Sequence, residues 1–208
     1  MSDNPAMPHA IPLPLSTDDI RAHLRRRSAL LPGTYEVAWP GGTAQPDRGA
    51  PILFLDVDGV LHPDACDPVD HFSRWPLLEA VLDDVPGVDV VWSSTWRFQK
   101  GWDVLMARVP QRLHGRFLGA TPAHLYPRGD ACPIGPRRLE VEGFLNLVLG
   151  DPQRPWVALE DSPLYDGAEH GRVLYCDPVT GLREGATGMG HTDQRTLRER
   201  LNRLVTVG

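Results

Sequence analysis

Apolar residues in this chain fall into short continuous runs, and the runs alternate with segments of helical spacing. PILFLDV is apolar until it ends in acids, WPLLEAVLDDV carries helical spacing, and VDVVWSS is a second apolar run ending in hydroxyls. The pattern then predicts a helix at WDVLMARV, a strand near RFLGAT and a helix at RRLEVEGFLNLVL. Strands at PWVALED and RVLYCD and a last helix at HTDQRTLRERLNRLV follow. Strands that are apolar on both faces and separated by helices imply a mostly parallel sheet covered on both sides. Right-handed crossovers make this a Rossmann-like α/β layer, in which functional groups collect at the carboxyl ends of the strands. Those ends here carry Asp56 and Asp58, Ser93 to Thr95, and Glu160 with Asp161.

The N-terminal quarter follows a different pattern. Residues 1 to 15 hold four prolines and no periodicity, which predicts a tail. Ser16 and Thr17 then offer caps to a short helix carrying Ile20, Leu24 and Leu30, with Arg25 to Arg27 on a solvated face. Residues 32 to 50 are a Gly/Pro-rich connector with room for one strand at TYEVAW, so the expected division is 1–50 for these appendages and 51–208 for the main domain.

At 208 residues and 41% hydrophobic content, the chain supports one ordinary core. It has no apolar run of about 18 to 20 residues and no basic, apolar leader pattern, so neither a membrane span nor secretion is expected. Cys66, Cys132 and Cys176 are too far apart for a disulfide scaffold or a cysteine-rich zinc site, and a reducing cytoplasm fits them. A net charge of -6 excludes a uniformly basic nucleic-acid-binding surface. Eight Lys or Arg against two acids between Trp96 and Arg138 nevertheless suggest a local attraction for polyanions.

Asp56 and Asp58 flank one residue where a buried strand opens into Gly59. Two carboxylates this close repel each other, and a divalent cation or a retained proton relieves the repulsion. ILFLDVDGVL resembles motif I of the haloacid dehalogenase-like (HAD) superfamily. The resemblance implies a HAD-type three-layer sandwich and a Mg2+-dependent phosphomonoester hydrolase. In that reading Asp56 is the nucleophile that forms an aspartyl-phosphate and Asp58 is the acid and base. The main-chain carbonyl of Asp58 joins Asp56 on the metal.

The later motifs follow in order. VVWSSTWR resembles motif II, which assigns phosphate binding to Ser93 supported by Ser94. GPRRLEVEGFL resembles motif III with arginine for the usual lysine, and either Arg137 or Arg138 supplies the cation. PWVALEDSPLYD resembles motif IV, which makes Asp161 a metal ligand and Glu160 its support behind the metal. With 34 residues between Asp58 and Ser93 and 39 between Arg97 and Arg137, neither gap holds a large cap domain. The open site favours a bulky phosphorylated substrate such as a nucleic-acid end or nucleotide, and FLDVDGVL with WSSTWR is similar to the HAD domain of bacterial RNA-repair proteins. The competing expectation is a catalytically silent phosphate-binding or scaffolding module of the same fold. His62, His71, His114 and His124 show no paired ligand spacing and read as scattered loop histidines.

Overall fold

The computed structural model describes residues 49–121, 136–165, 171–185 and 190–207. The expected tail, helix and strand before residue 49 lie outside the described residues, as do His124, Cys132 and Gly135 ahead of motif III. Five parallel strands form one sheet in the order β3-β2-β1-β4-β5: β1 Ile52–Leu55, β2 Asp89–Trp92, β3 Phe117–Ala120, β4 Trp156–Glu160 and β5 Val173–Tyr175. The chain winds outward from β1 to β3 and then crosses back to β4 on the other side of β1. The crevice of such a sheet therefore opens where β1 and β4 part.

Alternation along the strands explains why both faces are apolar. Leu53, Leu55, Val90, Trp92, Val157 and Leu159 point to one side, and Ile52, Phe54, Val91, Trp156 and Ala158 to the other. The first side is covered by α1 (Trp75–Asp84), α3 (Trp102–Met106) and α5 (Gln194–Val207), whose Leu78, Leu82, Leu105, Leu197 and Leu201 complete that layer. The second is covered by α4 (Pro136–Gly143) and its π-helical continuation Phe144–Leu149, through Val141, Phe144 and Leu145. The architecture is thus the three-layer α/β arrangement that the apolar runs imply.

Two local departures have physical causes. The single helix expected from RRLEVEGFLNLVL widens after Gly143, where the Asn146 side-chain amide donates to the Glu142 carbonyl at 2.7 Å and competes for the α-helical acceptor. A short helix α2, Trp96–Gln99, also follows the hydroxyls of motif II, although four residues are too few to leave a periodic signal. The last helix, α5, starts at Gln194, three residues inside the expected segment, where Asp193 Oδ1 accepts the Thr196 amide at 2.6 Å as an N-cap.

The segment between β1 and α1 is a flap stapled to the loop after β5. The Asp64 amide donates to Pro178 O at 2.8 Å, Leu182 N to Val60 O at 2.8 Å, and Arg74 Nε to Thr180 O at 3.0 Å. Gly181 sits in this staple with φ +65°, and a Cβ there would lie 2.8 Å from Val60 O, so only glycine fits the approach. No helix among the described residues is long and apolar enough to cross a membrane.

At the opposite end of the sheet, Arg154 Nη2 donates to Asp89 Oδ2 at 2.9 Å and Arg154 Nε to Ala50 O at 2.6 Å, with both side chains buried. Breaking a buried pair leaves an uncompensated charge. Arg154→Ala is therefore expected to lower unfolding free energy by about 3 to 5 kcal/mol in urea titrations, whereas Arg195→Ala, at an exposed pair with Glu199, leaves the urea midpoint unchanged.

Candidate active site

The ladder brings three strand ends to one level. Leu55 pairs with Trp92 on one side and Leu159 on the other. The pairing continues one residue further, with Ser93 N donating to Leu55 O at 2.8 Å and Asp56 N to Leu159 O at 3.1 Å. By the alternation that sends Phe54, Val91 and Ala158 toward α4, the next residues on that face are Asp56, Ser93 and Glu160. All three are buried.

Asp56, Glu160 and Asp161 each offer one carboxylate oxygen, and these atoms lie within 4.8 Å of one another. Asp56 Oδ1 accepts the Val57 amide at 2.8 Å. Asp161 packs on Gly59, where φ is +63° and a Cβ would come within 2.2 Å of Asp161 Oδ2. The glycine of the D-x-D-G run thus makes room for the motif IV acid. Burial first and then Asp56 push the Glu160 carboxyl well above its ordinary range. Burial also raises Asp161, with the Ser162 hydrogen bond opposing and Asp56 adding to the rise. Glu160 Oε1 has no hydrogen-bond partner among the described residues. Crowded carboxylates with a buried, unpartnered oxygen fit a hard divalent cation, which takes oxygen ligands and relieves the repulsion.

Glu160, read from the sequence as support behind the metal, ends β4 beside Asp56 and stands among the three acids. The Asp58 carboxylate lies outside the group and is engaged elsewhere, and the part read for Asp58 on the metal is that of its main-chain carbonyl.

The structure separates the two motif III arginines. Arg137 is buried, with Nη2 3.8 Å from Asp56 Oδ1, Nε 3.6 Å from Glu160 Oε2 and Nη1 3.1 Å from Glu140 Oε2. Burial disfavours its charge, but Asp56, Glu140 and Glu160 outweigh burial and hold its pKa above the ordinary value. Arg138, one residue on and about 100° around the helix, pairs with Glu142 Oε1 at 3.0 Å and does not join Asp56. Arg97 meets the same Glu140 oxygen at 2.8 Å and donates to the carbonyls of Thr121 and Ser94. Burial brings its pKa down to about 10, against the pull of Glu140. Glu140 is thus a buried anchor between two arginines, and its only trace in the sequence is its i+3 spacing from Arg137.

Ser93 Oγ is buried beside the Tyr165 hydroxyl, and neither makes a well-formed hydrogen bond. Ser94 Oγ faces inward and accepts the Trp96 amide at 3.3 Å. Asp58 is one-third exposed, and its Oδ1 accepts from Trp96 Nε1 at 2.7 Å and His62 Nε2 at 3.1 Å. The Phe72 amide approaches His62 Nδ1 at 3.4 Å, which fixes the proton on Nε2. Burial alone would raise Asp58, yet the His62 and Trp96 hydrogen bonds outweigh it and lower its pKa. Neither partner is evident from spacing, since both reach Asp58 only through the flap and α2.

Among the described residues, the bases of the segment from Trp96 to Arg138 do not form one face. Arg116 donates to the carbonyls of Leu82, Val85 and Val88, at the end of the sheet remote from Ser93, and Arg112 pairs with Glu79 and Asp83 on α1. Lys100 over Trp96 and Arg108 over Phe72 remain beside the site.

Glu160 has a measurable consequence. A carboxyl that keeps its proton in the fold, while the unfolded chain releases it above its ordinary 4.5, makes stability fall as pH rises from that value. Glu160→Gln in chelator-treated protein should therefore raise the thermal midpoint more at pH 8 than at pH 5. Parallel pH curves for mutant and wild type would exclude the buried proton.

Searches of curated proteins and of solved structures return no match. A comparison with protein families matches residues 52–186 to the HAD domain in Swiss Army Knife RNA repair proteins. The match spans β1, the flap, all five strands and the acids of motif IV. With its five-stranded parallel sheet and its acids at the carboxyl ends of β1 and β4, the chain belongs to this family of HAD-type domains.

Proposed function

We propose that the protein is a Mg2+-dependent phosphomonoester hydrolase working through an aspartyl-phosphate, with a phosphorylated RNA end as its substrate class. The observation that carries the reading is the convergence of Asp56, Glu160 and Asp161 with the buried cation Arg137 and the unsatisfied hydroxyl of Ser93. Asp56, Asp161 and the Asp58 main-chain carbonyl would hold Mg2+, with Glu160 beside them. When bound, the ion offsets the repulsion between the carboxylates and the incoming phosphoryl group.

The chain's own residues do the rest. An Asp56 carboxylate oxygen attacks phosphorus while Asp58 gives its proton to the departing ester oxygen. Asp58 then takes a proton from water, and the resulting attack on phosphorus frees Asp56 and inorganic phosphate. Trp96 and His62 both bind Asp58 Oδ1, which leaves Oδ2 to exchange the proton and favours the ionised form that acts as base toward water. Arg137 and Ser93 Oγ stabilise the equatorial phosphoryl oxygens in a site preorganised before substrate arrives.

The substrate class rests on three supports. The family's described members act in RNA repair. The described residues between Asp58 and Ser93 form only the flap, α1 and β2, so the mouth has no covering layer there. Finally, Lys100 and Arg108 lie against aromatic rings at its edge.

Asp56→Asn should abolish hydrolysis of an aryl phosphate, with the mass checked for deamidation, and chelation should abolish wild-type turnover until Mg2+ is restored. Arg137→Ala should lower kcat by about 100-fold or more, as loss of a transition-state donor does, while Arg138→Ala stays within about twofold. Full activity of Asp56→Asn overturns the mechanism, and a wild type with no Mg2+-dependent turnover favours a silent phosphate-binding module.

For the substrate, a 5′- or 3′-phosphorylated oligoribonucleotide should exceed the matching mononucleotide in kcat/KM by a margin that shrinks as salt rises. Lys100→Glu should reduce that margin and Arg112→Glu should not. A sugar phosphate that wins without salt dependence removes the RNA reading and leaves the hydrolase.

A further inference from the structure

The flap contains a second group of ligating side chains, remote in character from the carboxylates. His62, Cys66 and His71 each offer one donor atom, and the three atoms lie within 4.8 Å of one another. This corrects the expectation of scattered loop histidines. Eight residues lie between His62 and His71, so no short ligand spacing announces the pair, and the flap turns back to bring them together. Their rings stand 4.8 Å apart.

The turn is made at Phe72, the one non-glycine residue with positive φ, at +64°, among the described residues. A bulky side chain in that region is strained, and such strain persists only where the surroundings impose it. Phe72 packs on Trp96, and its amide meets His62 Nδ1 at 3.4 Å, so the strained residue directs His71 toward His62. Cys66 is neither buried nor disulfide-bonded. Asp58, Asp64, Asp67 and Asp70 all act electrostatically on its thiol, giving the pocket a negative field.

The donor chemistry is selective. Two imidazoles and a thiol are poor ligands for Mg2+, which requires oxygen, and good ones for Zn2+, whose four-coordinate sites take nitrogen and sulfur. Donor atoms up to 4.8 Å apart lie within about 1 to 1.5 Å of their spacing around such an ion, a gap that side-chain rotation in a loop closes.

We infer that the flap binds a Zn2+-class cation through His62, Cys66 and His71, with a fourth position left to water or a neighbouring carboxylate. Binding sends the Cys66 proton to solvent, so a thiolate and two neutral imidazoles hold the ion. The site touches the catalytic side directly, because His62 also donates to Asp58. Ligation through Nε2 replaces that bond, and ligation through Nδ1 displaces the Phe72 amide and leaves it in place.

Cobalt tests this without relying on turnover, because a thiolate on Co2+ gives a near-ultraviolet charge-transfer band that an oxygen-ligand site does not. The full chain, reduced and stripped of metal, is titrated with Co2+. The expected result is a band saturating at one equivalent, unaffected by excess Mg2+ and abolished by Zn2+. Cys66→Ser removes the band. His71→Gln weakens Co2+ binding by more than about tenfold, the scale on which losing even an orienting partner acts. Asp161→Ala keeps the band, which separates this site from the proposed Mg2+ site. Absence of the band in wild type, its survival in Cys66→Ser through another thiol, unchanged affinity in His71→Gln, or its loss in Asp161→Ala overturns the inference. His71→Gln carries the test if Cys66→Ser does not fold.

Discussion

Strand register is the constraint on which the site depends. Because β1, β2 and β4 run parallel and in step, the first residue beyond each apolar run must emerge at the same height, and on the same face, as its neighbours. Acids at two such positions are forced together whatever their mutual repulsion. The raised carboxyl of Glu160 and the raised guanidinium of Arg137 are opposite expressions of that confinement. The sheet core, with β1 wholly buried, is rigid enough to maintain the crowding.

Second to register is the role of α4. It covers the face on which Asp56, Ser93 and Glu160 emerge, so its first turn is where a cation reaches Asp56 and Glu160. Arg137 arrives there anchored by Glu140, which Arg97 holds from the other side. A rigid guanidinium shared among several carboxylates is a different device from a mobile lysine, because its planar fork meets several oxygens at fixed angles. The arginine in this chain therefore comes with a dedicated anchor.

How much of this was legible in the sequence depended on whether the signal was local. The strands were readable because a strand buried on both faces needs an unbroken apolar run, and ILFL and WVALE are such runs. The order of acids and hydroxyls at strand ends made the carboxylate site readable as well. The choice between Arg137 and Arg138 was not, because a helix rotates adjacent residues apart and the sequence does not state which side faces the sheet. The nearness of Glu160 to Asp56 was not legible either, because motif resemblance says nothing of strand height. Trp96, His62 and Cys66 were least legible, since their contacts arise from a loop folding back on itself and depend on the unusual backbone at Phe72.

The staple between the flap and the loop after β5 also bears on how this architecture is able to change. Val60, Asp64 and Arg74 are tied by their backbone or side chains to residues 178–182, and Gly181 admits no larger residue against Val60. The stem of the flap and that distant loop are consequently a single inherited unit, in which a change on one side demands a matching change on the other. The tip between Ala65 and Asp70 carries none of these ties. Growth of the molecule over its own site, by insertion of a covering segment, is thus open at the tip and closed at the stem.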